Sequence, residues 1–173
     1  MLQTLKNQLP DYAKDLKLNL SQVLMANQEL SATKIAGISL SVAYATRTAE
    51  LINHIENEAK QHLDESMINA AKAAASIMAM NNIYYRFVHY ASDADYHNMS
   101  TNLRMNVMLN PGIEKIDFEL FSLAVSAING CGLCMDSHAK TLQKSGISKT
   151  AIQHTIRIAA VLNGVAQVLR ITH

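Results

Sequence analysis

Residues 117–140 read "DFELFSLAVSAINGCGLCMDSHAK". Up to Ile128 this stretch contains neither proline nor glycine, and Asn129-Gly130 then supplies a helix-ending signal. The cysteines open a second helical run that continues to about Ser145 and breaks at Gly146. Two helices joined by so short a break fold back on each other as an antiparallel hairpin. This hairpin sets the reading of the rest of the chain.

Outward from it, helical signals dominate. The chain has only 6 glycines and 2 prolines, and alanine, leucine, isoleucine and methionine recur at helical spacing while strand-type alternation is scarce. The expected fold class is all-α. A first helix is expected after Pro10, a second over 31–47, a third over 49–62 and a fourth over 64–91, where Asp64 and Glu65 suit a helix N-terminus. A polar stretch follows, "SDADYHNMSTNLRMNVMLNPG", in which Asn110-Pro111-Gly112 signals a turn. The last helix is expected over 148–170. Its segment "IRIAAVLNGVAQVL" is apolar on nearly all sides, which predicts burial within the domain or against another subunit.

The two halves read alike. "LSVAYATRTAELINHIENEAK" aligns with "LAVSAINGCGLCMDSHAKTLQ" about 83 to 85 residues later, at low identity, and two readings stand: a duplication, or the ease with which alanine-rich helices align; either way one domain is expected. The N-terminal half, about 1–98, carries Thr48, Leu51 and Ile55 where the C-terminal half, about 99–173, carries Cys131, Cys134 and His138. Only the second half then holds the dithiol.

Charge and composition exclude several classes. Lys+Arg 15 against Asp+Glu 14 gives a net charge of +1, without a basic cluster suited to nucleic acid or an anionic membrane. No apolar run approaches the ~20 residues of a membrane span, and "MLQTLKNQLPDYAKDLKLNL" has no secretory h-region, so a soluble cytoplasmic protein is expected. With 49% apolar residues, a core forms without staples. The 9 methionines are read as core filler.

The two cysteines are the only ones in the chain, and a bridge across two intervening residues closes too small a loop to stabilise a fold. Three readings stand: a redox dithiol, half of a zinc site, or two small core residues. A C-x-x-C at a helix start favours thiolates, because unsatisfied backbone N–H groups and the helix dipole favour negative charge there. His138 lies one turn beyond Cys134 on the same face, within reach of a general base. Counting back across the hairpin, the residues opposite His138 fall near 119–122, where Glu119 is the only ionisable side chain; Asp117 is two positions off, on the far side of its helix. Zinc would take Cys131, Cys134, His138 and a fourth ligand, but His54, His62, His89, His97, His154 and His173 are dispersed without ligand spacing.

Together, "DFELFSLAVSAINGC", the C-x-x-C-x-x-x-H pattern, "LPDYAKDLKLNL" (9–20), "SIMAMNNIYYRF" (76–87), "LRMNVMLNPGI" (103–113) and "AVLNGVAQVL" (160–169) resemble the AhpD alkylhydroperoxidases of the carboxymuconolactone decarboxylase-like superfamily. The resemblance covers nearly the full chain. It implies an all-helical fold of two related halves, a homotrimer and no bound cofactor or metal. It also implies a lipoyl-dependent, peroxiredoxin-type peroxidase: an antioxidant enzyme that reduces alkyl hydroperoxides with a reversible Cys131–Cys134 disulfide. Dihydrolipoamide on a 2-oxo acid dehydrogenase component is the implied reductant, and an AhpC-type peroxiredoxin the implied electron acceptor.

Carried over by position, Glu119, Cys131, Cys134 and His138 match the family's functional residues. In the expected mechanism His138, held by Glu119, takes the proton of Cys134, which attacks peroxide, and Cys131 closes the disulfide. Cys131, nearer the N-terminus, is expected to be the more exposed sulfur and the one a reducing thiol reaches first. One position departs: where the family has a histidine directly before the second cysteine, this chain has Leu133. The Glu119–His138 relay is then expected to act alone, with weaker peroxidase activity and a larger share of thiol–disulfide transfer. The alternative is a dithiol electron-transfer adaptor between a lipoyl protein and a peroxiredoxin, with little peroxidase activity of its own.

Overall fold

The computed structural model describes residues 2–172, and every regular element among them is helical. Eight α-helices follow in order: α1 (Leu2–Gln8), α2 (Lys14–Val23), α3 (Ala32–Thr46), α4 (Ala49–Ala59), α5 (Glu65–Tyr90), α6 (Lys115–Ile128), α7 (Gly132–Lys144) and α8 (Lys149–Thr172). Short 3-10 turns cover Asp11–Ala13, Ala94–His97 and Asn106–Met108. His173 lies outside the described residues.

Helix ends fall where cap chemistry puts them. Ser31 Oγ accepts from the Lys34 amide at the start of α3, and the Asp64 carboxylate accepts from the Met67 amide at the start of α5. Gly130 and Gly146 take φ of 68° and 85° just after α6 and α7, a conformation that costs little only without a Cβ. Each is followed by a return of the chain into the next helix.

The centre of the molecule is the pair α3 and α6, which pack on each other and on both α5 and α8. In α6 every residue from Phe118 to Ser126 is buried. In α3 the same holds from Gly37 to Ala43. The two approach closely at Gly37, where a Cβ would overlap the Phe121 ring. Phe118 and Phe121 are the largest side chains buried here, and truncating one of this size costs about 3–5 kcal/mol.

Two expectations are corrected. The chain before Pro10 is helical: α1 buries Leu5, and Gln8 Nε2 donates to Glu50 Oε1 on α4 at 2.7 Å. A seven-residue helix lies far below the length at which a helix is stable alone, so docking on α2 and α4 forms it, and no local pattern announces it. The all-round apolar helix is also not α8. That helix exposes Gln153, Arg157, Asn163, Gln167 and Arg170 along one stripe, and the wholly buried role passes to α3 and α6.

Three helices of the N-terminal part have the same order and neighbours as three of the C-terminal part, while α1 and α2 have no counterpart. α3, α4 and α5 recur as α6, α7 and α8 in the same order, with α3 packed on α4 as α6 is on α7. Arg47, after α3, takes φ 58° where Gly130, after α6, takes 68°.

Candidate active site

The site forms at the elbow between α6 and α7. α6 ends in a paired turn: the Gly130 amide donates to the Ala127 carbonyl and the Cys131 amide to that of Ser126. Cys131 is at once the N-cap of α7, and its sulfur accepts from the Cys134 amide at 3.3 Å. Cys131 and Cys134 are joined by a disulfide, with an S–S distance of 2.02 Å. The Cys131 sulfur thus takes the place that an oxygen usually holds at a helix N-cap.

One turn further, His138 Nδ1 meets Glu119 Oε2 at 2.7 Å, across the α6–α7 contact. Both residues are buried, at 6% and 8% exposure, so the pair is shielded from competition by water. A carboxylate only accepts, which keeps the imidazole proton on Nδ1 and leaves Nε2 as the ring's open acceptor. Asp117 points elsewhere and is ion-paired with Lys34 of α3. His154 is held by the Val23 carbonyl and by Asn27, far along the chain from the dithiol.

Cys134 and His138 open on a cavity of about 340 Å³ between α5, α7 and the 3-10 turn at Asn106–Met108. Its walls are apolar: Met78, Tyr85, Met105, Met108 and Leu133. Asn81 and Ser137 complete the polar lining. Three of the methionines read as core filler thus wall a chamber, and Met105 and Met108 come from the polar stretch between the halves.

The relative exposure of the sulfurs reverses the expectation. Cys131 is fully buried and does not line the cavity, whereas Cys134 retains 7% exposure there. Being N-terminal did not expose Cys131, because an N-cap at an interhelical elbow is covered by the helices it joins. Among the described residues no three His, Cys, Asp or Glu side chains gather as a metal site.

Sequence reasoning did not find the clamp behind the elbow. Asn82 of α5 donates to Ser126 Oγ at 3.0 Å and accepts from Asn129 Nδ2 at 2.9 Å, while Arg86 Nη1 donates to the Asn129 carbonyl at 2.7 Å. Asn82 is fully buried. The available signal was two adjacent polar residues, Asn81-Asn82, inside the apolar run of α5.

A helical protein with a dithiol at an interhelical elbow is a recognisable class, and residues 94–172, the half that carries the dithiol, match the "Carboxymuconolactone decarboxylase family". Over 170 residues the chain is 66% identical to "Alkyl hydroperoxide reductase AhpD" of Coxiella burnetii, covering 97% of this chain and 96% of that protein. Proteins of the same name from Rhodopseudomonas palustris and Maricaulis maris are 52% and 51% identical, with 95% and 97% of this chain and 91% and 96% of theirs covered. The chain belongs to the AhpD family. No helix among the described residues is long and apolar enough to cross a membrane.

Proposed function

We propose that this protein is an alkyl hydroperoxide reductase that cycles Cys131 and Cys134 between dithiol and disulfide. The observation that carries the reading is one arrangement: a bonded Cys131–Cys134 pair, a buried Glu119–His138 pair one turn away, and an apolar cavity on which Cys134 and His138 both open. The names of its relatives support the reaction class.

In the reduced protein His138 Nε2 takes the proton of Cys134, and Glu119 steadies the imidazolium. The Cys134 thiolate attacks the terminal oxygen of ROOH. The O–O bond breaks, the leaving alkoxide takes the proton from His138 and departs as ROH, and Cys134 becomes a sulfenic acid. Cys131 then attacks Cys134 Sγ, water leaves, and the disulfide closes. Burial of Cys131 supports this order, since of the two sulfurs only that of Cys134 belongs to a residue lining the cavity.

The return step follows the same exposure. A reducing thiol attacks Cys134 Sγ from the cavity and expels Cys131 as a thiolate, which the Cys134 amide stabilises. Dihydrolipoamide carried on a 2-oxo acid dehydrogenase component supplies both thiols and leaves as the cyclic disulfide. Electrons also pass to an AhpC-type peroxiredoxin. The working form is a cytoplasmic homotrimer, and no metal or bound cofactor takes part.

The second reading is the adaptor, favoured by one observation: Leu133 places an apolar side chain on the cavity wall beside Cys134, at the position where the resemblance implies a histidine. One experiment separates the two. Consumption of cumene hydroperoxide is followed with dihydrolipoamide as reductant, with and without a peroxiredoxin, for the wild type and Leu133→His. Turnover without the peroxiredoxin, rising severalfold in Leu133→His, supports the peroxidase; turnover only with it supports the adaptor.

A further inference from the structure

Asn81 and Asn82 are adjacent in α5, both are buried, and they are used differently. Asn82 engages Ser126 through Nδ2 and Asn129 through Oδ1. Asn81, 3% exposed, places Nδ2 on the thioether of Met108 at 3.3 Å, and its Oδ1 has no hydrogen-bond partner in the protein. Desolvating an amide oxygen without a partner is unfavourable, so such groups are few in native interiors, and one that faces a cavity beside reactive side chains is suited to a bound molecule. Asn81 lines the same cavity as Cys134 and His138. A sulfur acceptor on one side and a buried, unpartnered oxygen on the other leave this carboxamide with capacity to serve a ligand in the chamber.

We propose that Asn81 is a substrate-contacting residue: its carboxamide oxygen accepts a hydrogen bond from the terminal O–H of the hydroperoxide and holds that oxygen against Cys134 Sγ. The inference rests on the reading of this cavity as the hydroperoxide site. Its chemistry suits the step. In ROOH only the terminal oxygen carries a hydrogen, and that is the oxygen sulfur attacks. An acceptor on the cavity that Cys134 also lines therefore selects the reactive end of the peroxide and leaves the alkyl group to the apolar walls. As the S–O bond forms and the O–O bond breaks, sulfur is oxidised by two electrons and the leaving oxygen takes its proton from His138. The terminal hydrogen stays on its oxygen, so the hydrogen bond to Asn81 persists from hydroperoxide to sulfenic acid. Aligning the bond to be broken is where a positioned polar contact contributes most to rate.

The two half-reactions separate this role from a packing role. Reduced wild type, Asn81→Leu and Asn81→Ser are mixed with hydrogen peroxide and with cumene hydroperoxide, and the oxidised proteins with dihydrolipoamide. Asn81→Leu is expected to oxidise about tenfold to a hundredfold more slowly, by the same factor for both peroxides, and to be reduced within about twofold of wild type. Asn81→Ser, smaller and still able to hydrogen-bond, is expected to fall between, and decides the matter if the leucine variant does not fold. Oxidation at the wild-type rate overturns the proposal. A loss shared by both half-reactions overturns it in favour of a structural role, and a loss confined to cumene hydroperoxide makes Asn81 only a wall of the cavity. If the wild type is reduced by dihydrolipoamide yet inert to both peroxides, it is the peroxidase reading that fails, and this proposal falls with it.

Discussion

The elbow between α3 and α4 and the elbow between α6 and α7 have nearly the same backbone and share none of the chemistry. Thr48 caps α4 with φ −95° and ψ 104°, and Cys131 caps α7 with φ −96° and ψ 93°. The residue before each is left-handed, Arg47 at φ 58° and Gly130 at 68°. Yet where the second elbow carries Glu119, Cys131, Cys134 and His138, the first carries Ala36, Thr48, Leu51 and Ile55. The comparison teaches that the fold supplies the elbow and its buried approach at both places, while under the proposed function four side chains of the second supply the reactivity. It also explains why Cys131 is hidden: Thr48, its counterpart, is buried too, at 6% exposure.

If that division holds, replacing side chains at the second elbow removes chemistry and leaves the fold. Cys134→Ser is expected to abolish turnover in the dihydrolipoamide-coupled assay while far-ultraviolet circular dichroism stays unchanged; retained turnover would reassign the attacking sulfur. His138→Gln removes the base and is expected to slow peroxide reduction by about 10²–10⁴-fold. Glu119→Gln keeps the ring but loses its orienting charge, for a smaller fall of about 10–100-fold by analogy with orienting partners elsewhere. Thermal unfolding should keep both variants folded, at a cost of about 1–3 kcal/mol for the buried partner left behind.

Backbone changes probe the shared part. Gly37→Ala drives a methyl into the Phe121 ring and is expected to cost about 1–3 kcal/mol in a urea titration, with the reactive elbow's rate constants preserved in the folded fraction. The smallest effects come from exchanging the left-handed residues. A Cβ at Gly130 meets nothing closer than Arg86 Nη1 at 3.9 Å, so Gly130→Ala is expected to cost only the conformational term, about 1 kcal/mol. Arg47→Gly relieves the same term at the other elbow and is expected to be neutral or to stabilise by up to about 1 kcal/mol. Opposite signs at the two elbows would sharpen the comparison; equal signs would break it.

Much of this was legible in the chain because helices advertise themselves locally. Gly130 and Gly146 mark the ends of α6 and α7, Asp64 and Ser31 the starts of α5 and α3, and a hairpin count across Asn129-Gly130 brings Glu119 opposite His138. What was not legible depends on which surfaces meet. α1 exists through docking on α2 and α4, and the exposed stripe of α8 was masked by alanines and valines that read as apolar all round. The order of exposure of the two sulfurs, the cavity wall from Met105 and Met108, and the hold of Asn82 and Arg86 on the elbow arise from α5 lying across α6 and α7. No spacing within the dithiol motif encodes a neighbour about fifty residues upstream.

That hold of α5 on Asn129 and Ser126 has a consequence for the redox cycle. Each tether ends on nitrogen or oxygen, none on sulfur, so the hinge stays moored whether the cysteines are bonded or apart. Opening the bridge is therefore expected to release little chain freedom and to leave the two thiols neighbours. The molecule works less as a latch that springs than as a socket whose contacts never leave their seats.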